Sequence, residues 1–145
     1  MNQFQSTNAE IIVIDDEANV RAEVIEILGD EGYDCHEFDS AESARQGMAE
    51  RNPDLIISDI NLDGESGLEL CRELKKTYDL AHVPVIFLSG AEIPNIIRRA
   101  HAAGGSYYLR KPFDPSVLNE LVDKALWLPH VAGAYEVGSK SDSAK

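Results

Sequence analysis

Ile11-Ile12-Val13-Ile14-Asp15-Asp16 sets four β-branched apolar residues against two carboxylates. A short apolar run of this kind suits a strand buried on both faces. Three further runs end in the same way, on a residue that carries chemistry. Leu55-Ile56-Ile57-Ser58 leads to Asp59, Val85-Ile86-Phe87-Leu88 to Ser89, and Tyr107-Tyr108-Leu109-Arg110 to Lys111. Between these runs the apolar spacing becomes helical. Val20, Val24, Ile27 and Leu28 share one face of a first helix, which Gly29 and Gly32 bracket at its end. Ala41, Ala44 and Met48 face inward from a second, and Leu70, Cys71 and Leu74 from a third. Ile93, Ile96, Ile97 and Ala100 form the stripe of a fourth; Leu118, Leu121, Val122, Ala125 and Leu126 form that of a fifth. A weaker strand from Tyr33 to Phe38 has the mixed polarity of a sheet edge. Strand and helix thus alternate five times, which predicts a parallel sheet with helices on both faces.

The helix boundaries have their own signals. The second helix is expected to begin near Asp39 or Ser40, where Asp39 followed by Glu42 resembles a capping box, and Ser66 followed by Glu69 reads as one for the third. Asn52-Pro53 stops the second helix. Pro94 suits the first turn of the fourth, and Asp114-Pro115 reads as N-cap and first residue of the fifth. Asn61-Leu62-Asp63-Gly64-Glu65 is a turn-rich loop.

At 145 residues the chain suits one domain, expected over 10–128, with flexible ends at 1–9 and 129–145. The net charge of -13 opposes a broad nucleic-acid footprint and docking to an anionic membrane. Cys35 and Cys71 lie far apart and form no disulfide or zinc pattern. The polar start, Met1 to Glu10, lacks the apolar core of a signal peptide, and no run is long enough to span a bilayer. A reducing, cytoplasmic setting is expected. His36, His82, His101 and His130 show no metal-like or phosphotransfer arrangement.

In an open parallel sheet the carboxyl ends of the strands form the ligand crevice. Asp15, Asp16, Asp59, Ser89 and Lys111 are therefore expected to converge. Carboxylates about 4 Å apart repel by on the order of 4 kcal/mol per pair at an effective dielectric near 20. Such a cluster calls for protons or a cation, and an all-oxygen site suits magnesium. A carboxylate is also a competent phosphoryl nucleophile. Lys111 can hold a phosphate as a point charge, and Ser89 can donate to one. Taken singly, the Asp pair also fits a helix N-cap, Asp59 a turn residue and Lys111 a solvated lysine.

The motifs are Ile-Asp-Asp-Glu at 14–17, Ser-Asp-Ile-Asn-Leu-Asp-Gly at 58–64, Leu-Ser-Gly-Ala at 88–91 and Lys-Pro-Phe at 111–113. In this order and at these intervals, the chain resembles the receiver domain of bacterial two-component response regulators, of the chemotaxis-regulator type, from about Glu10 to Trp127. The resemblance implies a flavodoxin-like α/β fold: a doubly wound five-stranded parallel sheet of order 2-1-3-4-5, with five helices in a single domain. It implies that Asp59 is the phosphoacceptor. Magnesium, with manganese as a substitute, would be bound directly by Asp16, mostly through water by Asp15, and by Asp59 and the backbone carbonyl of Asn61. Ser89 would bond the phosphoryl oxygen and Lys111 would pair with Asp59 or its phosphate. Lys111-Pro112 would be cis. Tyr108 would be the aromatic switch, with Tyr107 competing if the register slips by one. Asp63 departs from the family, in which many members carry Pro there, and Ser89 stands where Thr is commoner.

The implied partners are a sensor histidine kinase or histidine phosphotransfer protein as donor, and a downstream effector or an attached output domain as target. Direct nucleic-acid or membrane contact is not implied; the expected state is a monomer or a phosphorylation-induced dimer. Dedicated substrate turnover is not expected. Two other readings compete. One is a receiver-like binding module that is never phosphorylated. The other is an Asp-nucleophile phosphatase of the haloacid-dehalogenase type, disfavoured because those enzymes use an Asp-x-Asp pair and the acids here are adjacent. A dinucleotide site lacks its Gly-rich loop after the first strand.

Overall fold

The computed structural model describes residues 9–90, 95–105 and 107–127. Ile93, Pro94 and the tail expected at 129–145 lie outside the described residues, as does 1–8 of the expected flexible start. The elements are β1 (Glu10–Ile14), α1 (Ala18–Asp30), β2 (Asp34–Phe38), α2 (Ala41–Gly47), a 3-10 turn (Met48–Glu50), β3 (Leu55–Asp59), β4 (Asn61–Leu62), β5 (Glu65–Ser66), α3 (Gly67–Thr77), β6 (Val85–Ser89), α4 (Ile96–Ala102), β7 (Tyr107–Arg110) and α5 (Pro115–Trp127).

The main sheet runs β2-β1-β3-β6-β7, and its neighbouring strands pair in parallel. Strands β4 and β5 form a separate antiparallel pair. Setting that small hairpin aside, the order is the expected 2-1-3-4-5. The three inner strands are the continuous apolar runs, and every residue of β3 and β6 is buried. Alternate side chains feed two cores, as strand geometry requires. Ile12, Ile14, Ile56, Val85 and Phe87 pack with α2, α3 and α4. Ile11, Val13, Leu55, Ile57, Ile86 and Leu88 pack with α1 and α5. The edges are half-exposed, which explains the weaker signal of β2.

Local chemistry departs from the expectation in three places. The cap of α2 is Ser40, whose Oγ accepts the Ser43 N–H at 3.0 Å while the Ser43 Oγ accepts the Ser40 N–H at 3.2 Å. Asp39 instead accepts the Ser43 hydroxyl at 3.1 Å, so the box is closed by two serines rather than by Asp39 and Glu42. On α4, Ile96 and Ala100 face the core but Ile97 is 68% exposed, since the helix turns it away from the sheet. The loop after β3 is a hairpin, with Asp63 at φ 53° and Gly64 at φ 91° in its two-residue turn. Those are the left-handed positions of the turn type that Asp-Gly favours. The Lys111-Pro112 bond is cis, as the resemblance implied. Among the described residues, no helix is long and apolar enough to cross a membrane.

Candidate functional site

The site lies where β1, β3 and β6 end. Asp15 follows β1 directly, is fully buried, and its N–H donates to the Phe38 carbonyl at 3.2 Å. Its Oδ1 accepts the Glu17 N–H at 2.9 Å, and its carbonyl accepts from Arg21 Nη1 at 2.8 Å. Arg21 is fixed in turn by Glu37 on β2, at 2.7 Å. The acidic turn is therefore clamped between α1 and the sheet.

Asp59 closes β3 and is 7% exposed. Its Oδ1 accepts the Asn61 N–H at 3.2 Å, and its Oδ2 lies 3.0 Å from Lys111 Nζ. Behind it, Gly67 opens α3 and donates its N–H to the Ile60 carbonyl at 2.6 Å. A Cβ at Gly67 would stand 1.9 Å from the Asp59 carbonyl oxygen, so only glycine allows α3 to start this close to the acid. Asn61 is engaged twice: its Oδ1 also accepts the Gly64 N–H at 3.1 Å and braces the hairpin turn.

Lys111 is carried in by the far edge strand. Its N–H donates to the Ser89 carbonyl at 2.8 Å, which continues the β6–β7 ladder past Arg110. Its ammonium meets three carboxylates: Asp59 Oδ2 at 3.0 Å, Asp15 Oδ2 at 3.1 Å and Glu17 Oε1 at 3.1 Å. Burial alone would depress the ammonium's pKa, but the three acids outweigh it and hold it above its ordinary value. Asp15 is pushed upward, first by burial and then by the neighbouring Asp59 charge, against the pull of the Glu17 N–H and Lys111. Asp15 Oδ2 makes an ion pair with Lys111 but no hydrogen bond, and it is shut off from solvent.

Oxygens of Asp15, Glu17 and Asp59 lie within 4.8 Å of one another and could hold a metal ion. A buried carboxylate oxygen without a hydrogen bond, in an all-oxygen set, fits a hard divalent cation. Asp16 is exposed and does not belong to that group, whereas Glu17, which the spacing did not single out, does. The signal was present as a third acid in the run Asp15-Asp16-Glu17. Ser89 closes β6, is 3% exposed, and follows Leu88, the register partner of Asp59. Tyr108 pairs in register with Phe87 and packs on the α4 side, with its hydroxyl buried and without a hydrogen bond. Tyr107 packs on the opposite side, with α1 and α5.

A doubly wound parallel sheet thus gathers three carboxylates around one lysine at its carboxyl end. Residues 11–123 match the response regulator receiver domain family. The chain belongs to that family. It is 37% identical to the phosphate regulon transcriptional regulatory protein PhoB of Pseudomonas aeruginosa, over 74% of this chain and 47% of PhoB. It is 28% identical to the chemotaxis protein CheY-3 of Vibrio cholerae, over 86% of this chain and 96% of CheY-3. Against the DNA-binding transcriptional regulator NtrC of Escherichia coli the match covers only 24% of the relative. The chain thus spans about half of PhoB and a quarter of NtrC. Among solved structures, CheY4 of Vibrio cholerae superposes with a TM-score of 0.76 at 26% identity, covering 83% of this chain and all of that one. NtrX of Brucella abortus superposes at 0.78 with 31% identity, covering 90% of this chain and 29% of NtrX.

Proposed function

We propose that Asp59 accepts a phosphoryl group from the phosphohistidine of a sensor histidine kinase or histidine phosphotransfer protein, in a magnesium-dependent reaction, and that the chain signals through changed protein contacts. One observation carries this reading. Lys111 Nζ sits 3.0 Å from Asp59 Oδ2, while the buried Asp15 Oδ2 beside it has no hydrogen bond. The first supports a cation beside the charge that phosphoryl transfer would develop; the second supports a metal ligand. Asp16, Asp15 through water, Asp59 and the Asn61 carbonyl would hold magnesium, which neutralises phosphoryl oxygens when bound. Glu17 lies within the same group of acids.

In the transfer, a carboxylate oxygen of Asp59 forms the new bond to phosphorus as the bond to the donor's imidazole nitrogen breaks. The Asn61 N–H and Lys111 orient the attacking carboxylate. Ser89, on the adjacent strand, would donate its hydroxyl to a phosphoryl oxygen. Tyr108 would repack with it. A buried hydroxyl without a partner costs about 1–3 kcal/mol, so the resting place of this ring is one it can leave cheaply. The surface of α4, β7 and α5 would then change its affinity for a downstream effector or an attached output domain, with a monomer or a phosphorylation-induced dimer as the working unit. The free thiols Cys35 and Cys71 suit a cytoplasmic setting. No dedicated substrate turnover is assigned.

The test is intact mass after incubation with acetyl phosphate and magnesium. One phosphoryl group is expected on the natural chain, and none on Asp59→Asn or in the presence of a chelator. A folded, magnesium-binding natural chain that gains no mass would instead indicate a phosphorylation-independent binding module.

A further inference from the structure

Glu17 occupies the N-cap of α1, yet its side chain makes no capping hydrogen bond. Its backbone is fixed on both sides. The N–H is held by Asp15 Oδ1 at 2.9 Å, and the carbonyl accepts from the N–H groups of Val20 and Arg21, each at 3.1 Å. The carboxylate folds back over the site and reaches Lys111 Nζ at 3.1 Å. An ammonium has three N–H donors, and here Asp59, Asp15 and Glu17 surround it at 3.0–3.1 Å. Asp59 and Glu17 accept its hydrogen bonds, at 3.0 and 3.1 Å, and Asp15 adds a third carboxylate as an ion pair, so an incoming phosphoryl group that needs Lys111 competes with these acids. Asp59 is the acceptor and Asp15 is fully buried. Glu17, with its side chain 62% exposed, is the partner left to yield.

We propose that Glu17 is a positioning residue that competes with the phosphoryl group for Lys111 and thereby slows transfer to Asp59. The inference rests on the phosphoacceptor reading above and adds a brake to the same site. Its effect has the size of an exposed ion pair, about two- to fivefold in rate. It acts through Lys111 and not merely by adding negative charge near the donor. A double-mutant cycle separates these two routes.

The measurement is the phosphorylation rate with acetyl phosphate at saturating magnesium, by intact mass, for the natural chain, Glu17→Gln, Lys111→Gln and the double variant. Glu17→Gln should react about two- to fivefold faster in the natural background and no faster in the Lys111→Gln background. Equal acceleration in both backgrounds overturns the proposal in favour of plain charge repulsion. An unchanged or slower Glu17→Gln overturns it outright. A second readout needs neither metal nor turnover: the nitrogen resonance of the Lys111 ammonium in the cation-free protein. It should move in Glu17→Gln, and an unmoved signal removes the contact on which the inference depends. A natural chain that takes up no phosphoryl group while that signal does move defeats the phosphoacceptor reading and leaves the contact standing.

Discussion

At the scale of the residue, Asp15 shows how a site can be set against the stability of its own fold. It is fully buried, and its pKa is raised by burial and by Asp59. A carboxyl whose folded pKa exceeds its unfolded value favours folding while protonated; that contribution is lost as pH rises from the ordinary carboxylate range through the raised value. At neutral pH without a cation, ionised Asp15 therefore works against the fold. Asn keeps an Oδ1 for the Glu17 N–H and carries no charge. Asp15→Asn should raise the urea midpoint at pH 7 in chelator, whereas an indifferent surface change alters stability by no more than ~0.5 kcal/mol either way. The gain should fade near pH 3.8, the ordinary carboxylate value, where the natural side chain is protonated as well. A variant that is less stable at pH 7 would mean that the Lys111 pair outweighs the burial of the charge. Asp59, Ser89 and Lys111 were legible in the sequence because each ends a strand-like apolar run, and strand ends share a rim. Glu17 and the exposure of Asp16 were not. After β1 the chain leaves the period of two, and the side-chain directions in a turn follow from hydrogen bonds that spacing does not encode.

At the scale of the element, the joint between β3 and α3 determines how Asp59 is held. The inner strands and the faces of α1, α3 and α5 could be read from periodicity, because burial imposes it. The hairpin Asn61–Ser66 was read only as a loop, although Asp63-Gly64 is a strong two-residue turn signal. Its strands are too short to show an alternation of their own. The hairpin sets α3 back against β3, and Gly67 is where the two meet. In Gly67→Ala the methyl group would stand 1.9 Å from the Asp59 carbonyl oxygen and 3.2 Å from the Ile60 Cα. Neither neighbour is the flexible end of a side chain, so the backbone bearing Asp59 must move. Overpacking of this kind costs about 1–3 kcal/mol. Urea unfolding should register that loss, and calorimetry should show weaker magnesium binding because Asp59 shifts with its strand. A loss of stability with magnesium binding unchanged would place the strain in α3 alone.

At the scale of the whole molecule, two different charge effects coincide and can be separated. The net charge is -13, and residues 129–145 hold two acids and two lysines, so the excess lies in the remainder of the chain. Self-repulsion of that size loosens a compact state and is screened over about 10 Å at 0.1 M salt. The site adds a local term, since Asp15, Glu17 and Asp59 crowd around the single ammonium of Lys111. Sodium chloride should raise the melting temperature of the natural chain and of Asp15→Asn alike, and then level off as screening saturates. Magnesium at constant ionic strength should add a further rise, larger in the natural chain than in Asp15→Asn. A ligand present at a hundred times its dissociation constant stabilises by about 2.7 kcal/mol, which corresponds to about 5–10 °C for a domain of this size. Chelator should reverse the magnesium increment and leave the salt increment intact. Thermal scans over both titrations read the two terms directly. If magnesium and sodium act identically at matched ionic strength, the acidic crevice is part of the general surface charge and holds no specific cation.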